Sequence, residues 1–145
     1  MKPITPEWVV KAEADLVSAE REYRARKAPN YDAACFLAQQ CIEKYLKARL
    51  QEASVPFGKT HDLVALLDQL QPVEPLWIPL KALLAPISAY AVMFRYPGQS
   101  ATREEAKVAI ERARRVRELA RTSLGLSPKR AGHHRRSGRS PSKRR

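Results

Sequence analysis

Only two cysteines, Cys35 and Cys41, occur in the 145-residue chain. Six residues apart on what reads as one helix, they point about 120° apart around its axis, which excludes a bridge between them. They fit as small buried apolar side chains in a reducing compartment. Long apolar runs are also missing: nothing approaches the roughly 20 uninterrupted residues of a membrane span, and the N-terminus lacks a basic-then-apolar leader pattern. The expectation is a soluble cytoplasmic protein with no membrane contact. Five glycines form no phosphate-cradling loop. His61 is the one histidine before His133, so a pair of imidazoles within one copy of residues 1–126 is excluded. Neither metal-ligand spacing nor a cysteine beside a histidine occurs, and the adjacent His133 and His134 make no closed ligand set. No metal or other cofactor is implied. Alternating strand patterns are absent throughout, and acids are absent from Ser127 to Arg145.

That last stretch carries eight Lys or Arg, which leaves +4 of the total charge of +12 for residues 1–126. Its Ser, Pro, Gly and Arg content cannot offset the entropy of ordering a chain, so a disordered Arg/Lys-rich tail is expected over 126–145. Such a tail attracts nucleic acid nonspecifically by counterion release, or serves only as a solubilising extension.

What is present is helical periodicity, within a hydrophobic content of 44%. Thr5-Pro6-Glu7 reads as a capped helix start, followed by Trp8, Ala12, Leu16, Ala19 and Tyr23 at spacings of three and four, to about Lys27. Asn30 caps a second helix to about Ala53, whose broad apolar arc (Ala34, Leu37, Ala38, Cys41, Tyr45 and Ala48, widened by Ile42, Leu46 and Leu50) marks it as central. Leu63, Leu66, Leu67 and Leu70 form a short third helix behind a Thr60 or Asp62 cap. A fourth spans about Leu76 to Phe94, with Leu80, Leu83, Leu84, Ile87, Ala91 and Phe94 on one face. Pro79 and Pro86 predict its late beginning and a kink. Thr102 and Glu105 form a capping box for a fifth helix that ends at Gly125. The fold class is therefore all-α: an antiparallel up-and-down bundle of four long helices plus one short one over residues 5–125. Trp77, Ile78 and Val92 fall off the main stripes, and such exposed apolar side chains point to a homodimer interface.

Two short segments carry the chemistry. Arg95-Tyr96-Pro97-Gly98 holds a cation and a phenol at a helix end, where proline forbids continuation. Lys59-Thr60-His61-Asp62 sets a cation, an imidazole and a carboxylate at a helix start that favours an anion. The alternative readings are structural: Arg95 complementing the helix dipole, Asp62 as a cap, and His61 hydrogen-bonded to a backbone carbonyl. Gln39, Gln40, Glu43 and Lys44 interrupt the central apolar helix and read either as functional groups or as a solvated strip, with Gln40 and Lys44 as ordinary (i, i+4) neighbours.

Phe36 to Ala48 (FLAQQCIEKYLKA), Phe57 to Leu63 (FGKTHDL), then Tyr90, Arg95-Tyr96-Pro97 and Glu104-Glu105-Ala106, in this order and spacing, resemble the HEPN domain (higher eukaryotes and prokaryotes nucleotide-binding) over about residues 5–124. The resemblance implies a five-helix, usually dimeric bundle, often acting with a minimal nucleotidyltransferase in a toxin–antitoxin-type module. Many relatives are metal-independent ribonucleases with an Arg followed four to six residues later by His. Arg95 matches that arginine, but Ser100 to Thr102 contain no histidine. The departure favours a noncatalytic nucleotide- or partner-binding subunit, in which Arg95, Tyr96, Lys59, His61 and Lys44 are candidate phosphate or nucleotide ligands. Asp62, Pro97, Thr102 and Glu105 then have helix-end roles. The rival reading is a ribonuclease toxin with a degenerate motif and a composite site; a third is an RNA tether driven by the tail alone.

Overall fold

The computed structural model describes residues 1–130, so the expectations for the rest of the tail, and for His133 and His134, lie outside the described residues. The described residues hold five α-helices and no strand: α1 (Thr5–Arg24), α2 (Tyr31–Glu52), α3 (Leu63–Leu70), α4 (Leu80–Ser88) and α5 (Arg103–Ser123). None is long and apolar enough to cross a membrane. The all-helical bundle expected from periodicity is present. Its central member is α2, packed against α1, α5 and α3.

The capping chemistry follows the sequence with one exception. Asn30 accepts from Ala33 N–H at 2.9 Å, Asp62 accepts from Val64 and Ala65 N–H, and Thr102 with Glu105 makes the reciprocal capping box. Thr60 accepts from Asp62 N–H at 3.0 Å and so shapes the turn before α3 without capping it. The exception is Thr5, which lies inside the helix. Its hydroxyl donates to Glu52 at the far end of α2 (3.0 Å), so it ties two helix ends together. The first helix also stops at Arg24, ahead of Lys27, since Ala25 already leaves helical geometry (φ −59°, ψ 130°), and Ala28, at a positive φ of 48°, turns the chain before Pro29.

The segment expected as one helix over 76–94 is broken. A 3-10 turn at Pro75–Trp77 precedes nine residues of α4, and two more 3-10 turns, Ala89–Ala91 and Met93–Arg95, complete it. Pro86 has no N–H to donate, and the tighter winding that follows rotates side chains off a single helical face. Leu83, inside α4, stands 42% exposed, while Trp77, expected at the surface, is 6% exposed within the core, in a 3-10 turn that lies ahead of α4. Ile78 and Val92 are exposed as expected.

The composition-based boundary of the tail also moves. Gly125 takes φ +77°, Leu126 N–H returns to Arg121 O at 2.7 Å, and the chain doubles back along α5. There Arg117 donates to the carbonyls of Pro128 and Lys129, Arg121 donates to that of Ser127, and Arg130 clasps Glu20 with two bonds of 2.7 Å. Residues 126–130 therefore belong to the body.

Cys35 and Cys41 are unbridged and buried. Burial, joined by the charges of Glu105 and Asp32, pushes the Cys35 thiol up to about 12, and burial pushes Cys41 higher still. Since the thiolate is the nucleophile, both thiols of the native chain should react with an aromatic disulfide reagent at pH 8 roughly a hundredfold or more slower than in the denatured chain. Rapid release of chromophore from native protein would show that the α2 core opens readily.

Candidate functional site

One face of α2 carries Phe36, Gln39, Gln40, Glu43 and Lys47, spaced at three and four residues so that they line up along the helix. Gln39 is fully buried, Glu43 is 3% exposed and Lys47 5%, so the solvated-strip reading does not hold. A buried carboxylate is tolerable only when its lone pairs are filled. Glu43 accepts from Lys47 Nζ (2.9 Å), His61 Nδ1 (2.9 Å), Gln39 Nε2 (3.3 Å) and Gln40 Nε2 (3.3 Å). The Lys47 ammonium lies 5.8 Å from the ring centroid of Trp8 and 5.9 Å from that of Phe57, and these two rings pack edge to face. Such placement stabilises a cation that has left water.

This cluster holds the segment before α3. Gln39 Nε2 donates to His61 O at 3.0 Å, Ser88 Oγ at the end of α4 donates to the same carbonyl at 3.4 Å, and Leu63 N–H donates to Ser88 Oγ at 2.9 Å. The His61 ring therefore bonds a carboxylate, where a backbone carbonyl was one expectation. Its side chain is 60% exposed. Donation from Nδ1 to Glu43 leaves Nε2 of the neutral ring as an acceptor.

Arg95 sits about two turns away along the same face. Its guanidinium lies over the Phe36 ring, 5.3 Å from the centroid. Phe36 and Glu43, seven residues apart, share nearly one azimuth and stand about 10 Å apart along the axis. Asn30, Asp32, Ala33, Phe36, Tyr90, Phe94 and Arg95 line an open groove of about 400 Å³. The Tyr90 and Phe94 rings pack at 5.1 Å. Burial, with the charge of Glu105, raises the Tyr90 phenol above its ordinary value, so it remains a protonated donor at neutral pH. Asp32 accepts from Ala101 N–H at 2.6 Å and contributes the groove's negative charge.

The other candidates are elsewhere. Lys44 pairs with Asp15 on α1 at 2.6 Å and does not bond Gln40. Tyr96 is 64% exposed and extended, as a residue before proline prefers, and it does not line the groove. Lys59 is exposed in the turn before α3. The two terminal segments thus touch one face of α2 two turns apart, without closing on a single point. Sequence reasoning passed over Lys47 and singled out Glu43 only as one of four polar interruptions; a Glu-Lys pair at (i, i+4) inside an apolar arc was the available signal.

Comparison with curated proteins gives no match, and comparison with solved structures gives none. A family model described as HEPN domain matches residues 5–123. The match spans all five helices, the buried face of α2 and the Arg95 groove, and the chain belongs to the HEPN domain family.

Proposed function

We propose that the chain is a noncatalytic nucleotide- or phosphate-binding subunit whose ligand enters the Arg95 groove, and that it acts with a minimal nucleotidyltransferase in a toxin–antitoxin-type module. The observation that carries the binding reading is the Arg95 guanidinium over the Phe36 ring, 5.3 Å from its centroid, at the wall of the groove. A cation–π contact of this kind uses none of the guanidinium N–H donors, which can pair bidentately with phosphate. Among the described residues no carboxylate pairs with Arg95 within 4 Å. Phe36, Tyr90 and Phe94 provide aromatic surface for a base, and Asn30 with Asp32 provides polar groups for its edge. The partner half of the proposal rests on family membership, and is checked by co-purification with a nucleotidyltransferase encoded next to this chain.

Isothermal titration of the full chain with ATP, and separately with inorganic phosphate, tests the groove. Arg95→Ala should weaken binding about tenfold or more, since a charge-assisted contact contributes about 1.5–3 kcal/mol, with the helical signal unchanged. Equal affinity in parent and variant would remove Arg95 from the site.

The Glu43-anchored His61 supports a second reading, metal-independent RNA cleavage in which His61 stands in for the missing motif histidine. That reading requires cleavage by the parent in the presence of chelator, lost in both Arg95→Ala and His61→Ala.

A further inference from the structure

We propose that the base taken by the Arg95 groove is guanine, with Asp32 and Asn30 reading its hydrogen-bonding edge. The inference rests on the nucleotide reading above and adds which base the groove selects.

The groove wall carries one charge of each sign, Arg95 and Asp32, and among the described residues neither has an oppositely charged side chain within 4 Å. Opposite charges that share a cavity without pairing suit a ligand with an anionic end and a donor-rich end. Arg95 takes the anionic end. The other end meets the start of α2.

Local structure fixes the polarity there. Asn30 caps α2 by accepting from Ala33 N–H through Oδ1 at 2.9 Å, and its Nδ2 makes no hydrogen bond among the described residues. The free group of Asn30 is therefore a donor. Asp32, in the first turn of α2, accepts from Ala101 N–H through Oδ1 at 2.6 Å, while its Oδ2 accepts no hydrogen bond among the described residues. That bond ties the carboxylate to the segment before α5 and holds it in place. An ionised carboxylate can only accept. The wall thus presents a donor two residues from an acceptor.

Guanine offers the matching edge: the O6 acceptor, then N1–H and the N2 amine as adjacent donors. The two donors face Asp32, and O6 faces the Asn30 amine. Adenine and cytosine each offer one amine beside a ring-nitrogen acceptor, which sets a lone pair against the Asp32 carboxylate. Uracil offers one N–H between two carbonyls, with the same conflict. Phe36, Tyr90 and Phe94 receive the face of any base, so discrimination falls to the edge. Water reaches an open groove and softens a mismatch, which sets the expected preference at about tenfold to a hundredfold.

Isothermal titration of the full chain with the 5′-monophosphates of guanosine, inosine, adenosine and xanthosine, and with inorganic phosphate, reads the result. GMP should bind about tenfold or more tighter than AMP, with IMP, which lacks the N2 amine, between them. Arg95→Ala should weaken all of them while keeping their order, because it acts on the phosphate. Asp32→Asn should weaken GMP about tenfold, leave inorganic phosphate unchanged, and place XMP ahead of GMP, since an amide nitrogen in place of Oδ2 donates to the xanthine O2. The asparagine can still accept from Ala101 N–H, and unchanged thermal melting confirms that the variant folds. Equal affinity of the parent for GMP, IMP and AMP overturns the guanine assignment and leaves the nucleotide reading standing. A GMP preference that survives in a folded Asp32→Asn overturns the role of Asp32. No binding of any monophosphate or of phosphate up to about 1 mM overturns this inference together with the reading beneath it.

Discussion

Glu43→Ala is expected to lower the unfolding free energy by about 3–5 kcal/mol, a third or more of the stability of an ordinary domain. The loss comes from what remains behind. Lys47, 5% exposed, would hold an ammonium among Trp8, Phe57 and α2 without a counter-charge. Gln39 and Gln40 would each lose an acceptor, and the His61 ring its anchor. The double variant Glu43→Met with Lys47→Met removes both charges while keeping volume, and should recover most of the stability, because the penalty lies in the orphaned partner more than in the lost attraction. Urea unfolding of the two variants checks this. If Glu43→Ala costs under about 1 kcal/mol, water reaches Lys47 and the cluster is not dry. Because Gln39 and Ser88 also hold the His61 carbonyl, the double variant should leave the main chain before α3 in place while freeing the His61 ring.

A chain ended at Leu126 should be less stable than one ended at Arg130 by about 2–3 kcal/mol at pH 7, or a melting point lower by roughly 10 °C. Residues 127–130 supply carbonyl acceptors to Arg117, which is 3% exposed, and to Arg121, and the Arg130 fork holds the buried Glu20 carboxylate. The pH dependence identifies the pair responsible. Burial pushes the Glu20 carboxyl up, but hydrogen bonds from Arg130 and Arg114, with their charges, outweigh it and hold the group below its ordinary value of 4.5. A lowered native value means that this stability is complete above pH 4.5 and disappears as pH falls through the native titration. The difference between the two chains should therefore be largest at neutral pH and should narrow on acidification below 4.5. Glu13 follows the same rule: burial raises its carboxyl, while bonds from Arg117 and Tyr45 and the charges of Arg117 and Arg121 bring it below the ordinary range. A gap between the chains that is constant from pH 7 to pH 3 would assign the strap's contribution to its apolar contacts, such as Leu126 against the core.

The cationic strip of α5 illustrates how packing changes what a charge does. Arg114 and Arg117 each span from α5 to a carboxylate of α1, at Glu20 (2.8 Å) and Glu13 (2.6 Å). Every buried side-chain nitrogen and oxygen among the described residues has a partner. In a bundle this small, polar satisfaction of that kind joins helices as specifically as apolar packing does, because a wrong register would bury the same charges unpaired.

Local chemistry was legible in the sequence because it involves neighbours a few residues apart. The stripes of α1 and α2, the Asn30 and Asp62 caps, the Thr102 and Glu105 box and the stop before Pro97 depend only on spacing and on side chains reaching their own backbone. The motif order from Phe36 to Ala106 was likewise enough to indicate the family. What joins distant positions was not legible. Glu43 and His61 are 18 residues apart, Arg95 and Phe36 are 59 apart, and Glu20 and Arg130 are 110 apart. Composition assigned Ser127 to Arg130 to a tail because Ser, Pro and basic residues cannot offset the entropy of ordering a chain, and periodicity put Trp77 outside because it falls off the main stripe of a helix expected from about Leu76 to Phe94. Both assignments changed once α1 lay beside α5 and once the 3-10 turn at Pro75–Trp77 set Trp77 apart from α4, since burial and ion pairing are properties of which faces meet, and period and composition describe each face alone.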